Sequence, residues 1–278
     1  MLRSLVGSEM CIRDRYHTYI RSCILSVLPG VFAMKKRRNM LSVIMPAYNE
    51  ENCIYQNLLT TSRSIRQFHP DYEIIVVNDG SSDHTLEEAL RARDEDSHIK
   101  VATYHVNRGK GGAICEGISR ASGEYIAFLD ADLDLDPEHL HAFLDTMLDE
   151  DAHIVIGSKL HRDSRLNYPL KRKIMSYGYY MILRILFHLD IKDTQTGVKL
   201  FRAEVIKPIA QELTTTGYAF DIEILARASR MGCRIVEMPV TVDYKRGLEN
   251  GTTRIRLKDI FVMFFDTLKI FRDIRFRS

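Results

Sequence analysis

The chain has no CxxC pair. Its five cysteines (Cys11, Cys23, Cys53, Cys115, Cys233) are odd in number and scattered. That pattern argues against a disulfide framework and a zinc site, and for a reducing compartment. Long apolar runs are also missing: none reaches the ~18 residues that a transmembrane helix needs. Neither sign of charge dominates, the net being +2, while 45% hydrophobic and 27% charged residues are ordinary globular proportions. The GxxxxGK[ST] spacing of a P-loop is absent, and no GxGxxG follows the first apolar run. At 278 residues the chain is long enough to bury one large core.

What is present centres on Tyr125 to Pro137, YIAFLDADLDLDP. The apolar run reads as a buried strand, and Pro137 opens a helix. Between them Asp130, Asp132, Asp134 and Asp136 stand on alternate residues. Carboxylates so close repel one another, and a hard cation such as Mg²⁺ or Mn²⁺ is the natural reason to keep them together. The plainer alternative is a solvated strand end beside a helix N-terminus. A calcium loop of the EF-hand type is excluded, because its sixth position is Leu135 and its twelfth is His141.

Residues 1–33 fit poorly with the rest, and Val6 to Asp14 resembles a translated sequencing adapter. We expect an artefact or a disordered leader there, with the natural start at Met34 or Met40. The basic run Lys35 to Arg38 reads as a solvated leader.

From Met40 strands and helices alternate. Strands are expected at Leu41 to Met45, Glu73 to Val77 and Lys100 to His105, with helices at Asn52 to Phe68 and His84 to Arg93. Such alternation implies an α/β fold with a doubly wound, mostly parallel sheet, whose ligands bind at the carboxyl ends of the strands. Asn107 to Ala113, NRGKGGA, opens another helix. A Gly-rich helix start with a lysine, Lys110, is either a phosphate cradle or simply a tight turn.

Pro46-Ala47-Tyr48-Asn49-Glu50, Asn78-Asp79-Gly80-Ser81, Asn107 to Gly111 and Asp130-Ala131-Asp132 follow in this order at loop ends of one sheet. Together they resemble the family 2 glycosyltransferases of the GT-A fold. More narrowly they resemble the polyprenyl-phosphate hexosyltransferases, a group that includes dolichyl-phosphate glucosyltransferases and mannose synthases. The resemblance covers residues 40–245, taken as the glycosyltransferase domain. It implies that Pro46, Tyr48, Glu50 and Asp79 hold the base and ribose of a nucleotide sugar, with Lys110 on the donor side. It implies that Asp130 and Asp132 carry the metal-diphosphate, with Asp134 as a third ligand.

Lys159 to Arg184 holds seven basic residues against one acid, Asp163. A solvated basic face is the bland reading. Gly157-Ser158-Lys159 and Pro169 to Lys173 also resemble the family pattern, which implies Lys159, Arg172 and Ser176 as holders of an acceptor phosphate. Lys159 stands where mannose synthases commonly have Arg, which keeps the charge and loses the bidentate fork. Asp193 to Phe201, DTQTGVKLF, resembles a string of the glucosyltransferases and marks Asp193 as an active-site carboxylate. Asp221 and Glu223 read as a structural acid pair near a helix start.

Ile174 to Leu189 is apolar nearly all round, as for a core helix or an interfacial one. In the tail, residues 246–278, Leu257, Ile260, Phe261, Phe264, Leu268 and Phe271 recur at helical spacing among basic residues. It is a core cap or an amphipathic membrane-surface helix, and the lipid acceptor favours the membrane.

The function these features imply is metal-dependent, inverting transfer of a hexose from UDP-glucose or GDP-mannose to a dolichyl or undecaprenyl phosphate. Asp130, Asp132 and Asp193 would be the catalytic carboxylates. The expected setting is the cytoplasmic face of a membrane, held peripherally or through a membrane-anchoring subunit, with no nucleic-acid partner. Three alternatives stand beside it: a glycan or protein acceptor, a nucleotidyltransferase making the sugar nucleotide, and a non-catalytic binding subunit. The nucleotidyltransferase would carry a Gly-rich, Arg-containing loop where this chain has Pro46 to Asn49.

Overall fold

The computed structural model describes residues 39–164, 180–187, 189–217, 219–242 and 257–276, with side chains omitted for 257–261. These residues belong to one unit, Lys36–Ser278. The first strand, β1 (Leu41–Ala47), is followed by α1 (Ile54–Phe68), β2 (Tyr72–Asp79), α2 (Thr85–Glu95) and β3 (Ile99–Tyr104). Then come α3 (Gly109–Arg120), β4 (Tyr125–Phe128), α4 (His139–Asp149) and β5 (Ile154–Ser158). The last elements are β6 (Lys199–Arg202), α5 (Ala203–Glu212), α6 (Phe220–Arg230), β7 (Ile235–Pro239) and α7 (Leu257–Phe276). The expected strands and helices are present, each within a few residues of the expected limits. The helix after the acidic run begins at His139, because Pro137 and Glu138 form a turn closed by the His139 N–H to Asp136 carbonyl bond.

The seven strands lie in the order β3-β2-β1-β4-β6-β5-β7. All neighbours are parallel except β6, which runs antiparallel to both β4 and β5. Side chains alternate across the sheet, so each strand feeds two cores. Val43, Met45, Ile74 and Val76 pack with Leu58, Ile65, Leu140 and Phe143 on one side. Ile44, Ile75 and Val77 pack with Ile114, Ile118, Phe201 and Ile224 on the other. This is the doubly wound, mostly parallel arrangement expected from the alternating pattern.

The antiparallel β6 matters for the site. Lys199, its first residue, pairs with Phe128, the last of β4. The chain entering β6 therefore lies at the carboxyl end of β4, beside Asp130. A parallel strand would have delivered that segment to the opposite end of the sheet.

The α7 helix packs through Ile270, with Met263 and Ile274, against Leu183, Ala219, Ile222 and Phe187. Thr267 is buried on the same face. Of the expected stripe, the side chains of Leu257, Ile260 and Phe261 lie outside the described residues, Phe264 and Leu268 are exposed, and Phe271 reaches inward, edge-on to Phe187. Spacing alone marks two apolar faces on this helix, and contact with 180–187 decides which is buried. In that neighbouring stretch Tyr180 and Leu183 are buried, while Met181 and Ile185 are exposed. No helix among the described residues is long and apolar enough to cross a membrane.

Candidate active site

The loop after β1 and the turn after β2 are sewn together. Asn49, at φ +54, donates its N–H to Ser81 Oγ and accepts from the Ser82 N–H. The Glu50 N–H reaches Thr85 Oγ1 at 2.7 Å, and the Glu51 carboxylate receives the His84 N–H. Pro46 lies within β1, Tyr48 stands half exposed, and Glu50 follows in the same loop. Asp79 is buried at the end of β2. Its Oδ1 receives the Tyr104 hydroxyl and the Arg108 N–H, each at 2.7 Å, and its carbonyl receives Asn107 Nδ2. Burial and the bond to Asp79 push the Tyr104 phenol well above its ordinary range. A cleft of about 240 Å³ at the ends of β2 and β3 is lined by Asn78, Gly80, Ser81, Thr103 and Tyr104 among others. The structure thus brings the first loop, Asp79 and the NRGKGG loop to one edge of the site.

The acidic run is shaped by its apolar residues. Leu133 and Leu135 are buried, while Asp132 and Asp134 are half-buried. Leu133 holds φ +51, an uncommon conformation for a branched residue. The turn is fixed by Asn57 Nδ2 on the Ala131 carbonyl, the Asp134 N–H on Asp132 Oδ1, and a bridge between Leu135 and Val242.

Asp130 meets Lys110 at 2.5 Å, and both side chains are about one-third exposed. Burial acts to raise the Asp130 pKa, but Lys110, then Lys199 and Lys159, outweigh it and hold the carboxyl below its ordinary value. Burial likewise acts to lower the Lys110 pKa, and Asp130 and Asp221 reverse the sign. Both groups are therefore charged at neutral pH. A β-carbon on Gly197 would fall 2.2 Å from Asp130 Oδ2, so only glycine lets the 193–197 segment lie against this carboxylate.

Behind them, Lys199 pairs with Asp221 at 2.7 Å and donates to the Thr196 carbonyl at 2.6 Å. Burial pushes the Asp221 carboxyl up, more than Lys199 and Lys110 pull it down. Asp193 is engaged in its own loop: its carboxylate receives the Lys159 N–H, the Gln195 N–H and the Thr196 hydroxyl. Its backbone N–H is held by Glu237. These bonds make Asp193 a knot between the segments after β5 and before β6. Arg172 and Ser176 lie outside the described residues.

Hard carboxylate oxygens suit Mg²⁺ or Mn²⁺, and Mg²⁺ commonly takes one or two carboxylates and completes its shell from substrate phosphate and water. Among the described residues, no three of His, Cys, Asp and Glu stand close enough to cage a metal. Asp130, Asp132 and Asp134 therefore form no ready cage, though their oxygens are of the type such a cation takes.

Three residues went unremarked in the sequence or were read differently. Lys199 and Gly197 lie inside the DTQTGVKLF string, where their types alone carry no signal. Asp221 reads as half of a structural acid pair near a helix start and does stand in the first turn of α6; its place in the charge cluster behind Asp130 went unremarked.

The doubly wound sheet is shared with known enzymes. Glucosyl-3-phosphoglycerate synthase from Mycobacterium tuberculosis, solved with Mn²⁺, UDP and glucosyl-3-phosphoglycerate, superposes with a TM-score of 0.63. That match covers 89% of this chain and 85% of the other at 21% identity, which establishes the fold, that of the GT-A glycosyltransferases.

Sequence comparison goes further. The profile of "Glycosyl transferase family 2" matches residues 42–209, and the chain belongs to that family. Glycosyltransferase AglD of Haloferax volcanii is 31% identical over 226 residues, covering 80% of this chain and 35% of that protein. Dolichyl-phosphate beta-glucosyltransferase of Dictyostelium discoideum is 35% identical over 213 residues, covering 72% of this chain and 65% of that protein. The enzyme of the same name from Saccharomyces cerevisiae is 30% identical over 220 residues, with 72% and 66% covered. The chain thus spans about a third of AglD and just under two thirds of the Dictyostelium relative.

Proposed function

We propose that this protein transfers glucose from UDP-glucose to a polyprenyl phosphate such as dolichyl phosphate. The observation that carries the reading is the Lys110–Asp130 pair at the carboxyl end of β4. It sets a cation for phosphate beside a carboxylate for a metal, within electrostatic reach of Lys159. The names of the Dictyostelium and yeast relatives support the acceptor and the sugar. The DTQTGVKLF string supports glucose over mannose.

In this reading Asp79 and the first loop, with Pro46, Tyr48 and Glu50, hold base and ribose. Lys110 contacts the diphosphate, and Asp130 with Asp132 would hold Mg²⁺ or Mn²⁺. Such a cation, when bound, offsets the charge that develops on the leaving diphosphate. Lys159, with Arg172 and Ser176, receives the acceptor phosphate and offsets its repulsion. A phosphate monoester is largely dianionic at neutral pH, its second pKa being about 6. No strong general base is needed, which suits an Asp193 whose oxygens are already engaged. The acceptor oxygen bonds to the anomeric carbon as the bond to the diphosphate breaks. A single displacement inverts that centre.

We further infer that the protein works at a membrane surface. Val262, Phe265 and Phe276 of α7 are exposed together with Met181 and Ile185, and Lys269, Arg272 and Arg275 are exposed on the same helix. An apolar surface with basic neighbours suits an anionic bilayer.

The test is transfer of labelled glucose from UDP-glucose to polyprenyl phosphate, with and without EDTA, by wild type and Asp132→Ala. Loss of product in EDTA and in the variant is expected. Transfer indifferent to both defeats the metal assignment, and absence of lipid product with any nucleotide sugar defeats the function.

A further inference from the structure

The first turn of α6 carries a second acid, Glu223, whose carboxylate is entirely out of water. Burying a carboxylate costs several kcal/mol unless its oxygens are well supplied with donors. Here the donors come from the loop between α5 and α6. Thr215 gives its hydroxyl at 2.7 Å and its N–H at 3.0 Å, and Thr214 gives its N–H at 3.1 Å. Arg227, one turn on, adds Nε and a terminal nitrogen at 3.1 and 2.8 Å.

The loop so held continues directly into the donor side of the site. The carbonyl of Thr216 accepts the Gly111 N–H at 2.9 Å. A β-carbon on Gly109 would come within 2.8 Å of that same carbonyl oxygen. One on Gly111 would lie 2.9 Å from it and 2.8 Å from Phe220 Cβ. The start of α3 therefore rests directly on the loop, and Lys110 sits between the two contact points. Moving Thr216 moves Lys110, whose ammonium must reach Asp130.

We propose that Glu223 is a positioning residue: through Thr214 and Thr215 it fixes Thr216 as a buttress behind Gly109 and Gly111, and so sets where Lys110 stands. The inference rests on the reading of Lys110 as a diphosphate contact. Its structural half can be examined without any ligand.

Glu223→Gln removes the charge shared by Arg227 and both threonines and disturbs several bonds at once, so the informative pair is Thr215→Val and Thr215→Ser in the full chain. Valine removes the hydroxyl donor at nearly constant shape, and serine restores it. A net hydrogen bond of about 1 kcal/mol corresponds to a several-fold change in an opening equilibrium. We expect backbone hydrogen exchange at 109–113 to quicken roughly fivefold in Thr215→Val, with serine at the wild-type rate and strands β1 and β2 unchanged. UDP binding by calorimetry should weaken in Thr215→Val by a similar factor. Unchanged exchange at 109–113, a uniform rise through the sheet, or a serine variant as impaired as valine overturns the proposal. So does unchanged UDP affinity alongside faster exchange. If wild type binds no nucleotide, the functional reading falls, while the exchange arm still decides whether the buttress exists.

Discussion

Lys199 and Asp221 form an ion pair, 2.7 Å from Nζ to Oδ1, with side-chain exposures of only 2% and 9%. The pair joins β6 to α6 and lies within electrostatic reach of Asp130 and Lys110. Removing one partner leaves a buried charge, which costs about 3–5 kcal/mol, whereas replacing both by apolar groups can be nearly neutral. Asp221→Asn should therefore destabilise the protein by about that amount in urea titration, and Lys199→Met with Asp221→Leu by clearly less. Additive losses would show that the two side chains do not act as a pair.

Gly197→Ala tests the contact between the 193–197 segment and the acidic turn. The new methyl would enter the space of the Asp130 carboxylate, 2.2 Å from Oδ2. Overpacking of this kind costs about 1–3 kcal/mol. If the carboxylate yields rather than the fold, the cost appears as a fall of tenfold or more in kcat/KM at little change in Tm. Wild-type kinetics in Gly197→Ala would place Asp130 outside the working site.

At the other end of the sheet, Glu73 gives the protein an acid-side stability slope. Burial acts to raise its pKa, but the bonds from Lys100, Ser42 and the Ser122 N–H outweigh it, and the net shift is downward. A depressed carboxylate stabilises the fold above its unfolded pKa of about 4.3 and loses that contribution as pH falls through the folded value. Glu73→Gln should be less stable at pH 7 by about 1–3 kcal/mol, and its stability should fall less steeply on acidification. Parallel stability curves for the two proteins would assign the slope elsewhere.

Membrane contact predicts a specific surface. Burying one large apolar side chain is worth about 1.5–3 kcal/mol, and 1.4 kcal/mol is a factor of ten. Phe265→Ser, at a side chain 65% exposed, should weaken co-sedimentation with anionic vesicles by roughly tenfold or more at unchanged Tm. Binding that survives this change, or that is indifferent to lipid charge, would move the contact to another face.

The alternating apolar runs determined the strands and helices of the first half, because period-two and period-3.6 burial leave a local signature. The positions of Asp79 and Asp130 at strand ends were legible for the same reason, and Lys110 was legible from the Gly-rich helix start that carries it. Other features are not written in any local window. The β6 strand enters the sheet antiparallel, and only that reversal carries Gly197 and Lys199 to Asp130. Asp221 and Glu223 share one helical turn, yet one faces the charge cluster and the other grips Thr215. On α7 the buried face falls at Met263, Thr267, Ile270 and Ile274, because helix 180–187 and α6 receive that side. Sequence sets which residues can be buried or charged, while the pairing of distant segments chooses the partner each one meets.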